Sequence, residues 1–432
     1  MNPAGLSRLH IFRLAVPVML AQAATASTGV VDTMVMGLYG TKAELGAVGV
    51  AAVVVNFLYW AFGFLRMSTT GLTAQAKGAG NTSEVNAALQ RALLTGAFMG
   101  SLILLLSPLL KLVVFQPFDA TDAVKTLAGE YWDYRLWGAP AILMGYGITG
   151  WLLGTGRTGW LLVFQIILNA VNCGLDLWFV AVLDWGPAGI GAGTAIAEWT
   201  ALICGLWIVR QGLTGRAEGL FSRDKLLQMF SANRDILIRT LALLFAFAWF
   251  VNSGADLGTA VLAGNQVLLQ FVSVSAFILD GYAFVAEKEI GEAWGSKQRA
   301  RLTRAMRLTT ELALASGALI ALIYWLTGSW LIEHFVADAE ARAVALEYLP
   351  YCALIPLLGV PCWQLDGFFI GGTQGKALRN AAVITTVLYV ITDWLFTRTM
   401  GNSGLWLAFL MMYFYRAFSL GVYLPGFIRR TS

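Results

Sequence analysis

Twelve mostly apolar stretches, each near or above the roughly 20 residues that a helix needs to cross a bilayer, dominate this chain of 432 residues. They cover 12–37, 45–74, 88–112, 126–149, 158–183, 188–210, 237–256, 261–286, 306–329, 343–370, 378–397 and 403–427. Few folds are open to such a sequence, because every backbone polar group in hydrocarbon must be satisfied within a helix or a closed barrel. Runs of this length select helices. A charged content of 12%, about half that of ordinary soluble domains, agrees, and the expectation is an all-α polytopic membrane protein.

The basic residues sort by side. With the N-terminus inside, Arg8 and Arg13, the run from Arg210 to Arg239, the run from Lys288 to Arg307, and Arg429 and Arg430 all fall on the inner side. The outer segments hold Lys42, Lys111, Lys125, Arg135, Arg342 and Arg398. This asymmetry predicts a multi-pass protein of the inner (plasma) membrane with both termini cytoplasmic. It also accounts for the net charge of +4 without a nucleic-acid partner. The first residues lead into an apolar run too long for a signal peptide and read as a short cytoplasmic tail. Cys173, Cys204, Cys352 and Cys362 lie in apolar runs without metal-ligand spacing and read as small buried hydrophobes.

The longest polar stretch, Gln211 to Arg234, falls after the sixth run and divides the chain into a lobe over 1–212, a cytoplasmic linker over 213–233 and a lobe over 234–432. The halves repeat. Gly150-Trp151-Leu152-Leu153-Gly154 matches Gly367-Phe368-Phe369-Ile370-Gly371, and the same offset carries Asp176 onto Asp393. Two pseudo-symmetric six-helix bundles, repeated without inversion, follow, with substrate expected between or within them.

Inside the apolar runs a few polar residues stand out. Asp32 costs at least about 2.5 kcal/mol at membrane depth unless it has partners or work to do. Chain position places Asp32, Asp176 and Thr194 at a shared level, roughly 7–12 Å below the outer surface at 1.5 Å per residue. Asn172 precedes Asp176 by one helical turn and shares its face. Two carboxylates, an amide and a hydroxyl at one depth make either an oxygen-rich cation site, suited to Na⁺, or a proton site, since burial and a second carboxylate both favour the protonated acid. The residue types do not choose between these, and Asn172 and Thr194 could simply bond across helices. The second half offers Tyr389 at the position of Asn172 and Phe247 near that of Asp32, so the ion site is expected in the N-terminal bundle. Asp393, Asp280 and Asp366 are lesser candidates, and Glu287 reads as a structural partner of its neighbour Lys288. Pro17 could permit a bend in the first helix. The many aromatic residues would suit flat cationic compounds through cation–π contact, although interfacial belts and packing use most of them.

From Phe64 to Ala76 (Phe64-Leu65-Arg66-Met67-Ser68-Thr69-Thr70-Gly71-Leu72-Thr73-Ala74-Gln75-Ala76) the chain resembles the DinF branch of the multidrug and toxic compound extrusion family. Val31-Asp32-Thr33, Leu279-Asp280-Gly281-Tyr282-Ala283 and Leu365-Asp366-Gly367-Phe368-Phe369-Ile370-Gly371 extend the resemblance over essentially the whole chain. It implies a V-shaped antiporter of twelve helices in two lobes that exports amphipathic, often cationic compounds against H⁺ or Na⁺. The family's essential first-span aspartate corresponds to Asp32, its fifth-span pair to Asn172 and Asp176, its sixth-span threonine to Thr194, and a further tyrosine to Tyr131. Lys77 departs from the family, which usually has a small or apolar residue there.

The resulting expectation is an exporter driven by H⁺ through Asp32, with no cofactor beyond the coupling ion, working as a monomer among membrane lipids. The alternatives are a Na⁺-coupled antiporter at Asp32, Asn172, Asp176 and Thr194, or a flippase for a lipid-linked pyrophosphate, for which Arg66 and Arg416 are the mid-span basic residues, with Arg135 nearer the interface. An enzyme is not expected, since His10 and His334 lie outside the runs and neither HExxH nor GxSxG occurs.

Overall fold

The computed structural model describes residues 6–115, 121–217 and 219–430. Among these no strand occurs, and twelve helices are long and apolar enough to cross a membrane. In chain order the spans are Arg8–Tyr39, Lys42–Gly78, Thr82–Val114, Asp122–Thr155, Thr158–Val182, Gly186–Ile208, Arg223–Asp256, Thr259–Gly295, Arg299–Phe335, Ala339–Gly371, Gly375–Met400 and Asn402–Arg429.

Several spans outrun their apolar stretches. The seventh starts at Arg223 rather than near 237, so much of the expected linker over 213–233 is helix. Arg210–Thr214 forms a further short helix. Polarity alone does not end a helix; a cap or a breaker does. Thr41 supplies such a cap, accepting from the Glu44 N–H while the Glu44 carboxylate accepts from the Thr41 N–H at 2.7 Å. Breaks inside spans follow the same logic. The second span is interrupted between Lys42–Ala61 and Phe64–Gly78, the fourth by a 3₁₀ turn at Leu136–Gly138 ahead of Pro140, and the tenth at Gly359 ahead of Pro361. The first span runs unbroken through Pro17.

The helices form two compact units. One comprises Leu20–Lys77 and Asn81–Leu227, the other Met1–Met19, Gly78–Gly80 and Gln228–Ser432. The sequence boundary places the start of the chain in the N-terminal lobe, whereas residues 6–19 pack with the C-terminal unit.

The repeat is written in the backbone. Gly80 and Lys297, Gly156 and Thr373, and Asp184 and Gly401 are pairs at the Asp176-to-Asp393 separation, and all six residues are left-handed, with φ between 51° and 78°. At the first two pairs the turn closes with matching hydrogen bonds. Asn81 N–H donates to Ala76 O as Gln298 N–H does to Ala293 O, both at 2.9 Å, and Arg157 N–H donates to Leu152 O as Gln374 N–H does to Phe369 O, both at 2.8 Å. Glycine takes this conformation without cost; Lys297 and Thr373 hold it without that freedom.

Close helix contacts repeat as well. A methyl group on Gly150 or Gly154 would collide with the carbonyls of Arg66 and Thr70 on the second span, and one on Gly367 or Gly371 with those of Ala283 and Glu287 on the eighth. Small residues let membrane helices approach to backbone contact, which explains why this motif appears in both halves. Lys77, the departure from the family pattern, has local work: its ammonium donates to Thr155 O at 2.7 Å, satisfying a carbonyl at the end of the fourth span.

Candidate functional site

Within the N-terminal unit, Asn172 and Asp176 lie one turn apart on the fifth span, and the Asn172 amide donates to Asp176 Oδ2 at 2.9 Å. The same amide nitrogen donates to Thr194 Oγ1 on the sixth span at 3.0 Å, and that hydroxyl donates to Ile190 O at 2.9 Å. Asp32 reaches Asp176 and Asn172 from the first span. Tyr131, on the fourth span, is buried and within electrostatic reach of Asp32. The structure thus gathers all five residues singled out in the sequence.

Asp176 is fully buried, and Asn172, Asp32 and Thr194 are at most 6% exposed. Each of three buried oxygens, Asp32 Oδ1, Asn172 Oδ1 and Asp176 Oδ1, accepts no hydrogen bond. Buried oxygens are almost always paired, so three orphans in one cluster mark a place where a proton or a cation can be received. Space there is maintained by Gly193, where a methyl group would collide with Asp176 Oδ1.

Directly after Asp176 the fifth span changes to a π-helix over Leu177–Val182, with Leu183 N–H donating to Trp178 O at 3.2 Å. Such widened turns are frequent at functional sites. The repeat-related stretch after Asp393 stays α-helical. Nothing in the residue types around 177–182 signals the change.

The sequence expectation places Arg135 in an outer segment and gives Glu198 no partner. Arg135 is buried, its guanidinium joined to the Glu198 carboxylate by two hydrogen bonds of 2.8 and 2.7 Å. An ionisable residue in each of two apolar spans, opposite in charge, was the signal available.

The lesser candidates divide differently. Asp393 accepts from Trp249 Nε1 and Ser253 Oγ at Oδ2, both at 2.8 Å, and from Thr397 Oγ1 at Oδ1, 2.6 Å. Both of its oxygens are therefore satisfied. Asp366 Oδ2 accepts from Arg239 Nη2 at 2.5 Å and also from Arg416 Nη2. Asp280 and Glu287 lie close enough to interact electrostatically with Arg239. Lys288 does not pair with Glu287 as expected; its ammonium lies 2.5 Å from Glu289 and 3.2 Å from Glu292, two carboxylates that also pair with Arg301 of the ninth span.

A repeated twelve-span helical membrane protein with an oxygen-rich cluster inside its first unit is the class that fold and site define. A family model, MatE, matches residues 17–178 and again residues 236–395, and its two end points are as far apart as Asp176 and Asp393. The chain belongs to the MatE family, whose members are transporters rather than enzymes. It is 32% identical over 420 residues to the DNA damage-inducible protein F of Escherichia coli (strain K12), covering 95% of this chain and 90% of that protein. It is 25% identical to the probable multidrug resistance protein NorM of Aromatoleum aromaticum (strain DSM 19018 / LMG 30748 / EbN1), covering 93% and 86%. Among solved structures, one described as the outward-facing conformation of a multidrug resistance MATE family transporter of the MOP superfamily superposes with a TM-score of 0.89 at 18% identity, covering 100% of this chain and 97% of that one.

Proposed function

We propose that this protein is a cation-coupled efflux antiporter, set in the inner membrane with both termini cytoplasmic, that exports amphipathic, often cationic compounds in exchange for H⁺. The observation that carries the reading is the facing pair Asp32 and Asp176, buried with one oxygen of each lacking a hydrogen-bond partner. Two carboxyl groups that close repel when both are ionised, so the pair holds a proton or another cation between them. In the proposed cycle Asp32 takes a proton at outer-leaflet depth, the first helix rearranges, substrate leaves outward, and the proton is released inward.

The energetics suffice for useful work. One charge moving through 100 mV supplies about 2.3 kcal/mol, and a hundredfold concentration ratio costs about 2.7 kcal/mol. The names carried by relatives, multidrug resistance protein among them, support a role in drug export. The pyrophosphate flippase reading is weakened because Arg416 and Arg135, two basic residues available for it, are each engaged by a carboxylate.

The test is efflux of a fluorescent cation from proteoliposomes under an imposed pH gradient and, separately, under a Na⁺ gradient, with Asp32→Asn as control. Transport driven by pH alone and lost in the variant supports H⁺ coupling. Transport driven by Na⁺ alone reassigns the same four oxygen-bearing residues, Asp32, Asn172, Asp176 and Thr194, to a Na⁺ site. Efflux retained by correctly inserted Asp32→Asn protein overturns the mechanism.

A further inference from the structure

Arg135 and Glu198 have no part in the cycle above, yet they lie beside it. Their side chains are 7% and 2% exposed, the guanidinium meets the carboxylate edge to edge, and the Tyr59 ring covers one face of the guanidinium with its centroid 5.0 Å away. A buried ion pair gains little stability over well-packed apolar residues of the same size, whereas breaking one is costly. Stability alone is therefore a poor reason to keep this pair inside a membrane.

Its location supplies a better one. Arg135 follows Tyr131 by one turn on the fourth span, and Glu198 follows Thr194 by one turn on the sixth, so each charged residue shares a helix face with a residue of the site. The two helices run side by side at close range. A methyl group on Gly191 would come within 2.6 Å of Tyr131 O, and one on Gly138 would collide with the Glu198 carboxylate. From Thr194 the connection continues through hydrogen bonds already described: its hydroxyl accepts from the Asn172 amide, which also donates to Asp176.

We propose that Arg135 and Glu198 are a positioning pair, whose clasp fixes the register of the fourth span against the sixth and so sets the stance of Tyr131 and Thr194 toward Asp32 and Asp176. This rests on the reading of Asp32 and Asp176 as the coupling group. The pair acts through Thr194 and Asn172 on one side and Tyr131 on the other, and both of its charges lie within electrostatic reach of Asp32.

The experiment uses the full chain in proteoliposomes with ethidium as the exported probe. The variants are the double substitution Arg135→Met with Glu198→Leu, which removes both charges at similar volume, and Glu198→Asp, which keeps the charge but shortens its reach. Asp32→Asn is measured alongside. Both clasp variants are expected to insert and melt close to the parent. The double variant should need at least about tenfold more driving ion for half-maximal efflux, a change of about 1.4 kcal/mol, with little change in the KM for ethidium, and Glu198→Asp should fall between it and the parent. A purely structural pair would not move the ion dependence of folded protein. Parent-like ion dependence in both folded variants, with efflux still lost in Asp32→Asn, overturns the proposal and leaves the functional reading standing. Undiminished efflux in Asp32→Asn overturns both.

Discussion

Trp249 Nε1 donates to Asp393 Oδ2 at 2.8 Å, and in the repeat these residues occupy the positions that Asp32 and Asp176 hold in the first half. An indole thus stands where a carboxyl stands in the other unit. Two facing acids, each with an orphan oxygen, have as their counterpart an acid fully satisfied by an indole and two hydroxyls. A group whose hydrogen bonds are complete has little to gain from a proton or a cation. This difference supports the proposed placing of ion handling in the N-terminal unit and gives Asp393 a structural task.

Trp249→Phe should therefore destabilise the protein without altering transport. Removing one donor from a buried carboxylate costs about 1–3 kcal/mol, read as a lowered melting temperature in detergent. Efflux per inserted molecule should stay within about twofold of the parent, well under 1 kcal/mol.

Asp32→Asn keeps the shape of the side chain but removes the acid. Efflux should fall by at least about tenfold, equivalent to 1.4 kcal/mol, while expression, insertion and melting temperature stay near the parent values. A variant that melts normally and exports normally would contradict the assignment.

Gly193→Ala is a single methyl group aimed at Asp176 Oδ1. The carboxylate must shift away from its present position beside Asn172, and efflux should fall by roughly tenfold or more with the helix itself little affected, since alanine is the better helix former. Efflux assays paired with circular dichroism check both halves of the expectation.

Asp366→Ala leaves Arg239 and Arg416 in the C-terminal unit without the carboxylate they share. Breaking a buried ionic cluster from one side costs about 3–5 kcal/mol, so this variant should melt markedly lower than Asp366→Asn, which retains an acceptor oxygen. Equal melting temperatures for the two would show that the oxygen is not what holds the arginines.

Much of this architecture was legible because membranes impose simple rules. Length and hydropathy identify spans, and acids within them are conspicuous, so Asp32 and Asp176 stand out in the sequence, with Asn172 marked by its one-turn spacing from Asp176 and Thr194 by its depth. Arg135 and Glu198 escaped because their pairing joins residues 63 apart in the chain, and Arg135 sits next to the polar run 129–134 that reads as an interface. The offset of the repeat is legible from one glycine motif, yet the counterpart of Asp32, expected near Phe247, is Trp249, two residues further on. The π-helix after Asp176 depends on how neighbouring turns pack, and hydropathy has no term for that.

The four main-chain oxygens that receive the paired glycines belong to Arg66, Thr70, Ala283 and Glu287, a cation, an alcohol, a methyl and an acid. A contact made through carbonyls does not read the side chain that follows them. The joint therefore tolerates different chemistry beside it, so that one half holds an acid pair and the other an acid and a tryptophan on the shape they share.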